Sequence, residues 1–354
     1  MLATALVTRD MTTSARRLSS FMLHQNACLR KSIRLEFTKL SGGAKYSAAM
    51  AEYRETLLSA VDSNDAVLRE VFGTPETGLW NDFLLTWQSG DVYDGLGSLW
   101  RHCAKDWTRE GAEAQGGLRA RIVQLVRDEC RRLRSSPSSA LPSEEPVRIL
   151  VPGCGQGRLA YEIASALRSE AAVLGVEISD AQLAFASHFL NGGANRLDFH
   201  PWLDAFANNL DVESRAGRLS APDILTTSRS SSNLSLRQGD FVKEPSSAQK
   251  HQIVVTSFLL DCVDDLVGGM RAVRQSLAPN GLWVYAGPLH YQQGGQYTPR
   301  AASTLTQLVS LASDHGLELE AQPELLPAPY VRRPGAFLAE ADWRVPVFGA
   351  RLTS

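Results

Sequence analysis

The stretch VRILVPGCGQGRLAYEIA, residues 147–164, constrains the fold more than any other part of the chain. A short apolar run reads as a strand, Gly153, Gly155 and Gly157 break it, and an amphipathic helix follows. Strand, glycine turn and helix, in that order, form the entrance to a nucleotide-type cofactor site in an open α/β sheet. The alternation continues downstream. Strands are expected at 173–178, 234–237, 251–258 and 281–288, and helices at 181–190, 262–277 and 301–315. Two further strands are expected within 317–351. The expected fold class is therefore α/β: a Rossmann-like, mostly parallel sheet with helices on both faces, binding its ligand at the carboxyl ends of the strands.

The glycine spacing narrows the cofactor. A dinucleotide fingerprint, GxGxxG, needs a glycine at 158, where Arg158 stands, and a phosphate-binding Walker loop needs GK[ST], which is missing. A turn that merely packs helix on strand would need nothing more. Two later features point to a ligand. Glu177 closes the second strand, 20 residues after Gly157, where a carboxylate accepts from ribose hydroxyls. Asp240 and Phe241 follow the third strand, an acid for an exocyclic amine beside an aromatic ring. Acid, then acid with aromatic, without a pyrophosphate site, describes adenosine carried by S-adenosylmethionine.

At these residues a resemblance appears. ILVPGCGQGRLAYEIA, FHPWLDAFANNL, GDF, SFLLDCVDD and LWVYAGPLHY resemble the carnosine N-methyltransferase family, from about Leu99 to Tyr291 and more weakly to Arg351. The resemblance implies a class I methyltransferase domain. It also implies methyl transfer from S-adenosylmethionine to the imidazole of a β-alanyl-histidine dipeptide, turning carnosine into anserine. By motif position it implies cofactor contacts from His102, Lys105, Gly153, Gly155, Glu177, Asp240, Phe241 and a residue near Thr256. It implies substrate contacts from Phe258, Asp261 and Tyr291. The upstream RHCAKDWTREG resembles a family segment that encloses the cofactor, with His102 and Lys105 standing where Gln and Arg are usual. Gln292 stands where a histidine is expected, and Trp343 where a tyrosine is. These departures bear on substrate identity more than on reaction type.

Asp261 carries the chemical reading. A carboxylate bonded to one imidazole nitrogen selects the tautomer and stabilises charge as the other nitrogen attacks a methyl group, as in serine-protease triads. The competing role is an N-cap for a helix starting near Cys262, with Asp264 and Asp265 as first-turn acids. His200-Pro201-Trp202 reads as a turn anchored by an indole, and Cys154 as a small residue packed inside the glycine turn.

The remainder is organised around this domain, 147–354. Residues 38–134 read as a helical region covering the cofactor site, with a helix over 45–69 and a break near Gly116-Gly117. Residues 135–146 form a Ser/Pro linker, and the polar 211–233 segment reads as a surface insertion. The first 37 residues hold six Lys and Arg against Asp10 and Glu36, and read as a disordered or organelle-targeting segment. Lys+Arg 36 against Asp+Glu 38 gives no field for nucleic acid, and no apolar run is long enough for a bilayer. Five cysteines without a CxxC pair argue against disulfides or structural zinc, and His188 and Asn195 have no company suggesting a metal. A cytoplasmic or nuclear site fits this cysteine usage, and a homodimer is open. Three other functions stay in view: methylation of a protein histidine, a cofactor-binding scaffold without catalysis, and, weakest, a nicotinamide reductase.

Overall fold

Apolar runs without polar alternation call for a sheet buried on both faces, and that is what the chain builds. In a computed structural model, residues 11–41, 48–73, 95–135, 144–191, 196–224, 232–245, 249–289, 303–329, 331, 333 and 342–353 are described. Five parallel strands form the sheet's body: Val147–Pro152 (β1), Ala171–Glu177 (β2), Leu234–Gln238 (β5), His251–Ser257 (β6) and Leu277–Ala286 (β7). Their order is β5-β2-β1-β6-β7, extended by Asp342–Leu352 (β10) and Leu317–Leu319 (β8), while Glu324–Pro329 (β9) also pairs with β10. The strand β10 runs antiparallel to β7, β8 and β9. The tail thus holds three strands rather than two. A short hairpin of Leu197–Phe199 (β3) and Leu219–Ala221 (β4) lies apart.

Successive side chains divide between two cores. Ile149, Val151, Ile253, Val255 and Val284 face Leu96–Trp107 (α3), Arg109–Ser135 (α4), Arg158–Leu167 (α5) and Asp180–Leu190 (α6). Leu150, Val254, Trp283 and Tyr285 face Leu266–Ser276 (α8) and Leu305–Asp314 (α9). A third cluster joins Met11–Ser41 (α1) and Ala48–Phe72 (α2) to Leu203 and to Ala216 of the single turn Glu213–Ala216 (α7).

Several boundaries differ from the sequence expectation. Residues 11–37 belong to a helix whose Ile33 and Phe37 are buried, so this part is built into the fold rather than disordered. The glycines at 116–117 lie inside one continuous helix. Their propensity cost, about 1 kcal/mol each, is borne by a 27-residue helix with a packed apolar face. The break falls instead at Thr108, whose Oγ1 donates to Ala104 O (2.6 Å) and accepts from Gly111 N–H (3.1 Å). The 211–233 insertion is not wholly superficial, because Ser214, Arg215, Ala216 and Ala221 are buried. Of the Ser/Pro linker, residues 136–143 lie outside the described residues.

Candidate active site

The glycine turn, the tips of β2 and β6, and the last turn of α3 meet at one edge of the sheet. All three turn glycines have positive φ: +63° at Gly153, +55° at Gly155 and +82° at Gly157. An added Cβ at Gly153 would come within 2.7 Å of Leu259, so this glycine lets the strand-β6 loop close onto the turn. At Gly155 the nearest atom to an added Cβ is Asp106 Oδ2, at 3.8 Å. Bare backbone therefore faces the α3 carboxylate across a gap that a side chain would narrow.

Glu177 ties the edge together. Its Oε2 accepts from Gly155 N–H (2.8 Å) and its Oε1 from Ser179 N–H (3.0 Å). Through these two bonds the buried carboxylate orders the turn. Its carbonyl accepts from Gly239 N–H (3.0 Å), which places Asp240 beside it. Asp240 Oδ1 accepts from Val242 and Lys243 N–H (3.0 and 3.2 Å), and Oδ2 pairs with Lys243 Nζ at 3.0 Å. Burial opposes its charge, but Lys243 and these amides hold the carboxyl below the usual carboxylate range. Phe241 is buried with Val176 and Leu260. Ile178, just past Glu177, is an apolar side chain left 56% exposed at this edge, a surface for a flat ring that the sequence pattern did not single out.

Lys105 is the hub of the opposite wall. Its Nζ lies 3.5 Å from Asp106 Oδ1 and 5.5 Å from the centre of the Phe258 ring. A cation beside an anion complements a zwitterionic amino-acid tail; Asp106, next to Lys105 in the sequence, belongs to no motif that marks it as part of the site. Phe258 has φ +52°, a conformation costly for a bulky residue (on the order of 1–3 kcal/mol), and its N–H donates to Ala286 O at 2.9 Å. That left-handed residue ends β6 and turns Leu259 toward Gly153. Asp261 comes three residues later, 4% exposed. Burial pushes its carboxyl up to about 6, against the pull of its own backbone, Cys262 and Lys105. The helix after it starts at Leu266 with Asp265 at the N-cap, so Asp261 is not a cap.

Other expected residues are placed differently. Thr256 Oγ1 accepts from Trp283 Nε1 (2.8 Å) within the second core, so its side chain is spent on packing. His102 holds its ring against Gln182 and Ser98. Trp343 stands on β10 opposite Ala328, half-buried against the core and two strands from β6. Tyr291 and Gln292 lie outside the described residues. The His200-Pro201-Trp202 turn is a packing device: His200 N–H donates to Asn64 Oδ1 (2.8 Å), and Trp202 is buried. Arg333 fastens the chain just beyond this turn, donating to Ala207 O (3.2 Å) and Asn209 Oδ1 (2.6 Å).

Arg158, the residue that broke the dinucleotide pattern, has a structural task. It bonds Asp223 (2.5 and 3.2 Å), Glu162 (2.7 Å) and Asp106 O (3.1 Å), and lies 5.2 Å from the Trp107 ring centre. Among the described residues no group of three or more His, Cys, Asp or Glu could hold a metal, and no helix is long and apolar enough to cross a membrane.

A parallel sheet ordered β5-β2-β1-β6-β7 with a reversed β10 beside β7, a glycine turn after β1 and an acid at the tip of β2 define the class I fold of S-adenosylmethionine-dependent methyltransferases. The bare turn, Glu177 and the Lys105–Asp106 pair suit that cofactor's backbone contact, sugar and amino-acid tail. The carnosine N-methyltransferase family matches residues 89–350, and the chain belongs to it. The chain is 27% identical over 247 residues to a carnosine N-methyltransferase of Schizosaccharomyces pombe, covering 65% of this chain and 63% of that protein. Against the carnosine N-methyltransferase unmet of Drosophila melanogaster it is 29% identical over 192 residues, 53% of this chain and 40% of the other. Against the Mus musculus carnosine N-methyltransferase it is 28% identical over 201 residues, 56% and 48%. The chain spans about half the length of the curated relatives it matches.

Proposed function

We propose that this protein transfers a methyl group from S-adenosylmethionine to an imidazole nitrogen of a β-alanyl-histidine dipeptide, carnosine, yielding anserine. The observation that carries the reading is Asp261: a buried carboxyl at the tip of β6, raised to about 6, on the same edge as the glycine turn and Glu177. A carboxyl kept there at an energetic disadvantage suits a task, not a fold requirement. The family membership supports the same choice of substrate.

S-adenosylmethionine supplies a methyl carbon already activated by a sulfonium, so the protein's work is alignment and charge management. Glu177 and the glycine turn fix the sugar end, and Lys105 with Asp106 the amino-acid tail. Asp261, as carboxylate, accepts the N–H of the substrate ring, leaving the other nitrogen's lone pair free. As that nitrogen bonds to the methyl carbon, the sulfonium S–C bond would break to leave the neutral thioether S-adenosylhomocysteine, the ring becomes cationic, and its N–H proton passes to Asp261. A carboxyl ionising near 6 is closely matched to an imidazole for that transfer. The Phe258 ring adds an apolar face.

The test is mass spectrometry of products formed with a labelled methyl donor from carnosine, homocarnosine, anserine, free histidine and a histidine-bearing peptide library. One labelled methyl on carnosine, and none on anserine, is the expected result. Labelling confined to the peptides would replace the dipeptide with a protein histidine. Cofactor binding without any labelled imidazole would leave a scaffold.

A further inference from the structure

The turn between β6 and α8 places a thiol beside the Asp261 carboxyl. The left-handed Phe258 ends the strand, and Cys262 N–H donates to Leu259 O (2.9 Å), closing a tight turn around Asp261. Cys262 is half-buried in this turn. Its Sγ lies 3.7 Å from Asp261 Oδ2 and 3.7 Å from Phe258 O, so one donor has two acceptors at equal range.

A thiol carries a single proton, and the better acceptor sets its direction. The two acceptors differ in one respect. Phe258 O is a neutral carbonyl at every pH. Asp261 is the stronger acceptor only as a carboxylate, because a bond to an ionised group is roughly twice as strong as one between neutral groups. The thiol therefore donates to Asp261 when the acid is charged and to Phe258 O when it is protonated. Such a contact distinguishes the two protonation states of Asp261, which a contact serving packing alone does not.

The surroundings give that preference weight. Asp261 is 4% exposed, so water does little for its charge. Burial pushes its carboxyl up to about 6; its own backbone, the Cys262 thiol and, from α3, the Lys105 ammonium pull the other way, in that order. Lys105 divides its charge, since its Nζ also lies 3.5 Å from Asp106 Oδ1. Further along the turn, Asp265 is engaged at the N-cap of α8.

We infer that Cys262 is a positioning residue for Asp261: its thiol follows the charge of the carboxyl, holding Oδ2 while the acid is ionised and turning to Phe258 O when a proton arrives. The pairing itself holds whatever the methyl acceptor; its consequence for turnover rests on the role of Asp261 proposed above.

Unfolding of the full chain between about pH 4 and pH 8 tests it. The stability gap between wild type and Asp261→Asn reports the ionisation of Asp261: it opens as pH rises and levels off above the pH at which the native carboxyl ionises. The same gap is measured between Cys262→Ala and the double variant Cys262→Ala/Asp261→Asn, so that any packing loss from the missing sulfur cancels. Without the thiol the gap should level off about half a pH unit higher, less than an ordinary hydrogen bond to a charge would give because sulfur is a weak donor. With carnosine, the ratio of turnover at about pH 6 to turnover at about pH 8 should fall roughly twofold in Cys262→Ala, since half a unit near the midpoint halves the ionised fraction. An unchanged levelling point would overturn the inference. So would a lower one, which is the mark of a sulfur that merely keeps water from the acid. Should Cys262→Ala fail to fold, Cys262→Val takes its place in the same pair. A raised levelling point without methylation of carnosine would sustain the inference and remove the dipeptide. Carnosine methylation with an unchanged levelling point would keep the dipeptide and remove Cys262.

Discussion

At the scale of single residues, Asp261 is where chemistry and stability oppose each other. Its carboxyl ionises at 3.8 in the open chain and at about 6 in the fold. The native state thus holds the proton more tightly, so stability falls as pH rises from about 4 to about 6 and stays lower above. The buried charge then costs about 3 kcal/mol. Asp261→Asn removes it. Calorimetry should find the variant melting above wild type at about pH 8 and level with it below about pH 4. The same substitution should lower turnover by roughly 10²–10⁴, while leaving cofactor affinity nearly unchanged. A loss of activity with no gain in stability at high pH would deny that the carboxylate is buried as a charge. Wild-type turnover should rise with pH through about 6 and level above the substrate imidazole's own pKa of roughly 6.5, since both the carboxylate and a neutral ring are required. Asp261 was legible in the sequence as an acid after a buried apolar run. Its freedom from capping duty was not, because the spacing of Asp261, Asp264 and Asp265 suits a cap at any of them. Only the helix start at Leu266 decides it.

At the scale of elements, the site depends on how α3 is clamped to the glycine turn. Trp107 Nε1 donates to Gln156 O (3.0 Å), Asp223 N–H donates to Trp107 O (2.7 Å), and Arg158 bonds both Asp223 and Asp106 O. Arg158 and Asp223 are almost wholly buried. Removing one partner leaves the other charge without compensation, which costs about 3–5 kcal/mol, whereas replacing both with apolar residues of similar size can be nearly neutral. Arg158→Met should therefore lower the urea midpoint strongly, and Asp223→Leu added to it should restore much of the loss. A double variant as unstable as the single one would place the effect in the Trp107 stacking instead. At the same scale, Gly153→Ala should weaken S-adenosylhomocysteine binding and cost stability together. Its φ of +63° disfavours an L side chain by about 1–2 kcal/mol, and the new Cβ meets Leu259. The β/α alternation behind this clamp was plain in the sequence, since parallel strands buried on both faces give unbroken apolar runs. The 108 break and the buried half of the 211–233 segment were not. Both depend on side chains far apart in sequence, as when Arg215 is covered by Glu36, and local propensity carries no trace of such partners.

At the scale of the whole molecule, α1 belongs to the architecture of the sheet domain. Ile33 and Phe37 pack with Leu57, Val61, Leu203 and Ala216, joining the N-terminal helices to the segment before β4. Arg215 is 1% exposed; it donates to Glu36 Oε1 and Oε2 (3.1 and 3.0 Å) and to Leu203 O (3.1 Å), and lies 4.6 Å from the Phe206 ring centre. The basic bias of the first 37 residues is thus partly spent inside the fold, with Arg30 paired to Asp62 and Asp65 and the acidic Glu36 serving as counter-charge for a distant guanidinium. Deleting residues 1–41 would strip that counter-charge and expose the apolar faces of α2 and α7. The cost should reach about 3 kcal/mol from the stranded Arg215 alone, a fall in melting temperature of at least roughly 4 °C for a chain of this length. Dye binding to newly exposed apolar surface should accompany it. Glu36→Gln, which keeps the helix and removes only the charge, should show most of the thermal loss without the dye signal. If the truncated chain instead melts with the full one, α1 is an appendage and the buried ion pair contributes nothing to holding the two halves together.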